Sequence, residues 1–160
     1  MLSKLMPLSR IVMIMAVAAL VIGIVFVVQG VTKANMIKDQ MREEAVSTSI
    51  YLGNATKPGD IIDSAAEAQK AADTIKEHRR NIAPNYTALL AGGRYDPTNP
   101  KHLSYTQALN MENYLYMGVF ALGFTQAVTV IGVFMIVVGV ALIAVWAAIR
   151  KKKEARVRVK

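Results

Sequence analysis

The 160-residue chain is 54% hydrophobic with a mean hydropathy of +0.34, values high for a soluble domain and ordinary for a small membrane protein. It has no cysteine, which excludes disulfides, thiol catalysis, iron–sulfur ligation and zinc–thiolate sites. Its net charge of +8 sits wholly at the two ends: Lys4 and Arg10 give +2, residues 150–160 give +6, and residues 31–148 carry ten basic and ten acidic side chains. A nucleic-acid binder would carry its basic patch on a folded face, so no nucleic-acid partner is expected. Positive ends flanking apolar runs are instead the mark of cytoplasmic segments retained by the positive-inside rule.

The first element is the apolar run Ile11 to Val31, IVMIMAVAALVIGIVFVVQGV, which has no charge. Twenty-one residues rise roughly 30 Å as a helix, the thickness of the hydrocarbon core. A cleaved signal peptide would have a shorter apolar region, about 7–15 residues, and a small-x-small site. Val31-Thr32-Lys33-Ala34-Asn35 is a poor one, so the run reads as an uncleaved signal anchor.

Thr32 to Ala45 is charged and helix-compatible, so the first helix is expected to continue past the apolar run. Val46 to Leu52 is rich in β-branched residues and reads as a short strand, followed by a loop from Asn54 to Gly59. Asp60 then opens an amphipathic helix to about Ile82, with Ile61, Ala65, Ala68, Ala72 and Ile75 on one stripe. Asp60 and Asp63 at its start and Arg79 and Arg80 at its end complement the helix dipole, and Pro84 stops it. The Ala-rich stripe suits packing on another helix. The turn-rich segment Tyr95 to Pro100 follows, and Ser104-Tyr105-Thr106-Gln107 fits a capping box opening the next helix.

From Asn113 to Ile149 no residue is charged, thirty-seven in all, more than one span needs. No proline or polar cluster divides it, so it reads as one long helix with an outer part projecting from the bilayer. Tyr114, Tyr116, Phe120 and Phe124 cluster at the outer end, and Trp146 precedes Arg150, Lys151, Lys152 and Lys153 at the inner end, as interfacial aromatics and cytoplasmic charges do. The basic tail is a topology determinant that can also attract anionic lipid at about 1 kcal/mol per residue.

Small residues recur every seven positions in both runs: Ala16, Gly23 and Gly30 in the first, Gly118, Thr125, Gly132 and Gly139 in the second. A seven-residue period keeps one stripe facing a partner along a left-handed crossing, and small side chains let backbones approach closely. The stripes are expected either to pack on each other within one chain or to join two chains.

Catalytic constellations are nearly absent. The only histidines are His78, on a charged helix face, and His102, in a loop. A non-haem iron site needs two histidines and a carboxylate converging on one metal. Nothing matches Gly-x-Ser-x-Gly, Ser-x-x-Lys or a phosphate loop. No charge lies within either apolar run, where it would mark an ion path. The expectation is therefore no enzyme, no cofactor and no metal site.

Four features carry a family resemblance: Ala71-Ala72-Asp73-Thr74-Ile75-Lys76-Glu77-His78, then Tyr86-Thr87-Ala88, then Asp96-Pro97, then Gly118 to Ala127 leading the long helix. With the N-terminal anchor, they resemble small two-span membrane proteins of actinobacteria and related bacteria that lack an assigned function. Some members carry an aromatic-ring-opening dioxygenase label, for which this sequence lacks the ligands. The resemblance implies a bacterial inner-membrane home and transfers no active site.

The expected architecture is mainly α: a cytoplasmic N-terminus at 1–10, transmembrane helices at 11–31 and 117–149, a mostly helical extracytoplasmic cap at 32–116, and a basic cytoplasmic tail at 150–160. The expected partners are the lipid bilayer and either a second copy or another membrane protein. The expected role is a non-enzymatic accessory or scaffold of the cell envelope, with an outer ligand-binding or sensor module as the alternative.

Overall fold

The computed structural model describes residues 8–44, 46–53 and 60–158. These residues are mainly α-helical, with helices α1 (Leu8–Glu43), α2 (Ser49–Leu52), α3 (Ala65–Ile82), α4 (Tyr86–Leu90) and α5 (Pro100–Arg158), and no named strand among them. Helices α1 and α5 are each long and apolar enough to cross a membrane. Only 17% of the most apolar window of α1 and 11% of that of α5 is buried, so neither has the coverage of a soluble protein's core helix. Lys4 and the loop expected at Asn54–Gly59 lie outside the described residues.

The chain divides into two compact units, one of Met1–Lys33 with Thr125–Lys160, the other Ala34–Phe124. The first holds the apolar parts of α1 and α5. The second has a core of Met41, Ile62, Ala68, Ala71, Ala72, Leu115 and Leu122, with a smaller cluster of Ala83, Leu89 and Tyr105. α3 thus buries its alanine face beside the Leu115–Leu122 stretch of α5, as the Ala-rich stripe suggests.

Several local expectations are corrected. Val46–Leu52 is not a strand. Pairing is confined to a bridge between Ser47 and Ile61, and the Ile62 N–H donates to the Val46 carbonyl at 2.9 Å. The Ser47 hydroxyl then accepts the Ser49 N–H at 3.1 Å, a side-chain turn that diverts the backbone into α2. The amphipathic helix starts at Ala65 rather than Asp60, because Ser64 caps it: its hydroxyl accepts the Glu67 N–H at 3.2 Å, and Glu67 reaches back to the Asp63 N–H at 3.0 Å. Ile61 is consequently outside the helix, and Ile62 and Ala71 enter the core beside Ala68 and Ala72.

Helix α5 starts at Pro100, one turn before the capping box expected at Ser104. The Asn99 side-chain oxygen accepts the Lys101 N–H at 2.9 Å, and proline at the first helical position loses no bond because that N–H is free anyway. His102 is therefore a buried residue of the first turn of α5, not a loop residue: its Nδ1 accepts the Asp96 N–H at 3.0 Å, and its ring stacks on Tyr95. Asp96 closes the turn, accepting both the N–H and the hydroxyl of Thr98, and these bonds hold its carboxyl below the usual carboxylate range. A depressed carboxyl contributes its stabilisation above the unfolded-chain pKa of about 3.9 and loses it as pH falls through the folded value. The Thr98 amide resonance should accordingly hold its position on acidification until pH is below the midpoint of an unperturbed aspartate.

Candidate functional site

The seam between the apolar stretches is built from small residues. Ala16, Gly23, Gly30, Thr125, Gly132 and Gly139 are all buried in this unit. A Cβ added at Gly23 would lie 2.7 Å from the Gly132 carbonyl oxygen, and one added at Gly132 would lie 2.8 Å from both the Gly23 carbonyl oxygen and the Val27 nitrogen. At Gly139 it would meet the Leu20 side chain and, at 3.1 Å, the Ala16 carbonyl. At Gly30 it would collide with Thr129, whose hydroxyl is held by donating to the Thr125 carbonyl at 2.9 Å. Backbone therefore meets backbone within one chain. The large side chains point outward: Val21, Ile24, Val28, Ile131, Phe134 and Val137 are exposed.

In the second unit Gly118 receives the Met41 methyl group, which fills the place of its missing side chain. Around this contact lies an apolar cleft of about 240 Å³ lined by Met36, Ile37, Gln40, Met41, Tyr114, Met117, Gly118 and Ala121. Met117 at its rim is 71% exposed. Phe120 and Phe124 stack on each other with ring centroids 6.1 Å apart and are largely exposed. Tyr116 departs from this aromatic set. Its hydroxyl donates to Asp73 at 3.0 Å, and the bond from Gln69, joined by this one, holds the Asp73 carboxyl low.

The unit also holds a buried ion pair, Arg79 with Glu112, of which the sequence shows only the arginine. Arg79 on α3 donates from Nε to Glu112 on α5 at 2.6 Å, and from Nη1 to the Tyr105 hydroxyl. The guanidinium also lies 5.0 Å from the centre of the Tyr105 ring. The Arg79 and Glu112 side chains are only 11% and 8% exposed. The carboxylate bond raises the Arg79 pKa while burial opposes the rise. Arg79 therefore does more than complement the end of its helix; it fixes α3 to α5. The signal in the sequence was the spacing Tyr105, Glu112, Leu115, Gly118, Leu122, which puts Glu112 on the buried stripe of a helix and so requires a cation opposite it.

His78 is exposed and His102 is buried against Tyr95. Among the described residues no three His, Asp or Glu side chains come together as a metal site would need. At the far end of α5, Arg150 lies over the Trp146 ring at 5.0 Å, with Lys151 and Lys152 exposed beyond it; the Lys153 side chain lies outside the described residues. The arrangement offers packing surfaces and a polar lock. No family model, curated protein or solved structure matches the chain.

Proposed function

We propose that this is a two-span protein of a bacterial cell membrane, with both ends in the cytoplasm and residues 32–116 outside, serving as a non-enzymatic accessory or scaffold protein. The observation that carries the reading is the division of labour on α1 and α5. Small residues make their mutual seam, while large apolar side chains cover the outward faces along both apolar runs. A surface of that kind is stable against lipid or against other apolar helices and is a liability in water. The uneven charge of the flanks supports the orientation.

The interaction role rests on the methionine-rich cleft of the outer unit, since flexible thioethers adapt to differing partners. At about 240 Å³ the cleft is smaller than the roughly 300–1,000 Å³ of ordinary small-molecule pockets, which favours a scaffold over a ligand sensor. Cross-linking in native membranes, followed by extraction in mild detergent, tests this. The chain should be recovered joined to a second copy or to another membrane protein. Recovery as monomer alone would contradict the scaffold role.

A further inference from the structure

Where the basic flanks converge, the first unit has a second cleft, of about 370 Å³, lined by Ser9 and Arg10 of α1 and by Trp146, Arg150 and Glu154 of α5. The two arginines reach it from different helices. Among the described residues neither forms an ion pair, and Arg150 is held over the Trp146 ring. Guanidinium groups present planar, forked donors that match phosphate oxygens, and the Ser9 hydroxyl adds a further donor.

Among the described residues the charges lining the cleft are two arginines and one glutamate, a net of +1. That matches a singly charged phosphodiester better than a polyphosphate. The cleft also stands where the apolar runs end, beside a tryptophan of the kind that settles at headgroup level. A basic pocket between membrane helices on the cytoplasmic side is a headgroup site by its chemistry.

We propose that Ser9, Arg10, Trp146 and Arg150 form a specific site for the phosphodiester headgroup of an anionic phospholipid in the cytoplasmic leaflet. This rests on the membrane-spanning reading and adds to it a defined lipid contact in place of diffuse attraction to the basic tail. Glu154 limits the charge the site accepts.

The test uses the purified full chain in detergent, titrated with phosphatidylglycerol or phosphatidylcholine and read by native mass spectrometry. Phosphatidylglycerol should be retained about thirtyfold more strongly than phosphatidylcholine, the preference expected of two basic contacts. The double variant Arg10→Gln/Arg150→Gln should lose that preference. Lys151→Gln/Lys152→Gln removes the same charge just beyond the cleft and should keep most of it. Arg10→Lys/Arg150→Lys keeps the charge without the fork and should fall between, provided each variant keeps the wild-type helical content.

Equal losses in the arginine and lysine pairs would overturn the site in favour of diffuse attraction. Displacement of the lipid by millimolar inorganic phosphate would overturn the lipid assignment in favour of a soluble anion. Recovery in the membrane fraction is scored separately. A chain that inserts and shows no lipid preference overturns this site alone; one that does not insert overturns the spanning reading as well.

Discussion

Replacing Gly132 with leucine should force α1 and α5 apart in their apolar stretch. The new Cβ would stand 2.8 Å from the Gly23 carbonyl oxygen and from the Val27 nitrogen. Both are backbone atoms of a continuous helix, so no rotamer change relieves the clash. Overpacking ordinarily costs about 1–3 kcal/mol, and a backbone obstacle places this substitution at or above the top of that range. Gly123→Leu is the control, because a Cβ there meets nothing within 4 Å. Unfolding in mixed micelles should show a large loss for Gly132→Leu and little change for Gly123→Leu. Equal behaviour of the two would mean that the small-residue stripe does not hold the helices together.

Glu112→Ala should be the most damaging single change in the second unit. It leaves a buried guanidinium whose remaining contacts among the described residues are the Tyr105 hydroxyl and ring. Removing one partner of a buried pair costs about 3–5 kcal/mol, and the slight exposure of both groups points to the lower end, about 3 kcal/mol. The double variant Arg79→Met/Glu112→Leu should recover most of that loss, since an apolar pair of similar volume avoids the desolvation of both charges. Tyr105→Phe, which removes one bond to a charged donor, should cost about 1.5 kcal/mol. A double-mutant cycle over Arg79 and Glu112 is the measurement; additive losses would show that the two residues act independently.

These two sites differed in how far the sequence revealed them. The Gly132 contact follows from local properties: an uncharged run fixes the helix, and a seven-residue period of small side chains fixes which stripe approaches a partner. Both can be counted along the chain. The Arg79 lock depends on a carboxylate 33 residues away, and beside Arg80 at a helix end it looks like one more cation facing the dipole. Burial decides between those readings, and burial is a tertiary property.

The same division separates the correct boundaries from the shifted ones. Ile82 ends α3 because Pro84 follows within two residues, whatever the surroundings. Val46–Leu52 has β-branched residues that suit a strand, but a strand needs a partner, and here only the segment around Ile61 pairs with it. By its neighbours in sequence Pro100 closes the turn, whereas it opens α5 in the structure, because proline is as well suited to the first helical position as to a turn.

In the proposed topology α1 and α5 cross a membrane, with residues 32–116 on one side and both ends on the other. The chain has no cysteine, so single cysteines report without background. Arg94→Cys and Lys152→Cys both place a thiol at an exposed position. A membrane-impermeant maleimide applied to spheroplasts should label Arg94→Cys at once and Lys152→Cys only after the membrane is permeabilised. Labelling of both positions, or of neither, before permeabilisation would contradict the account.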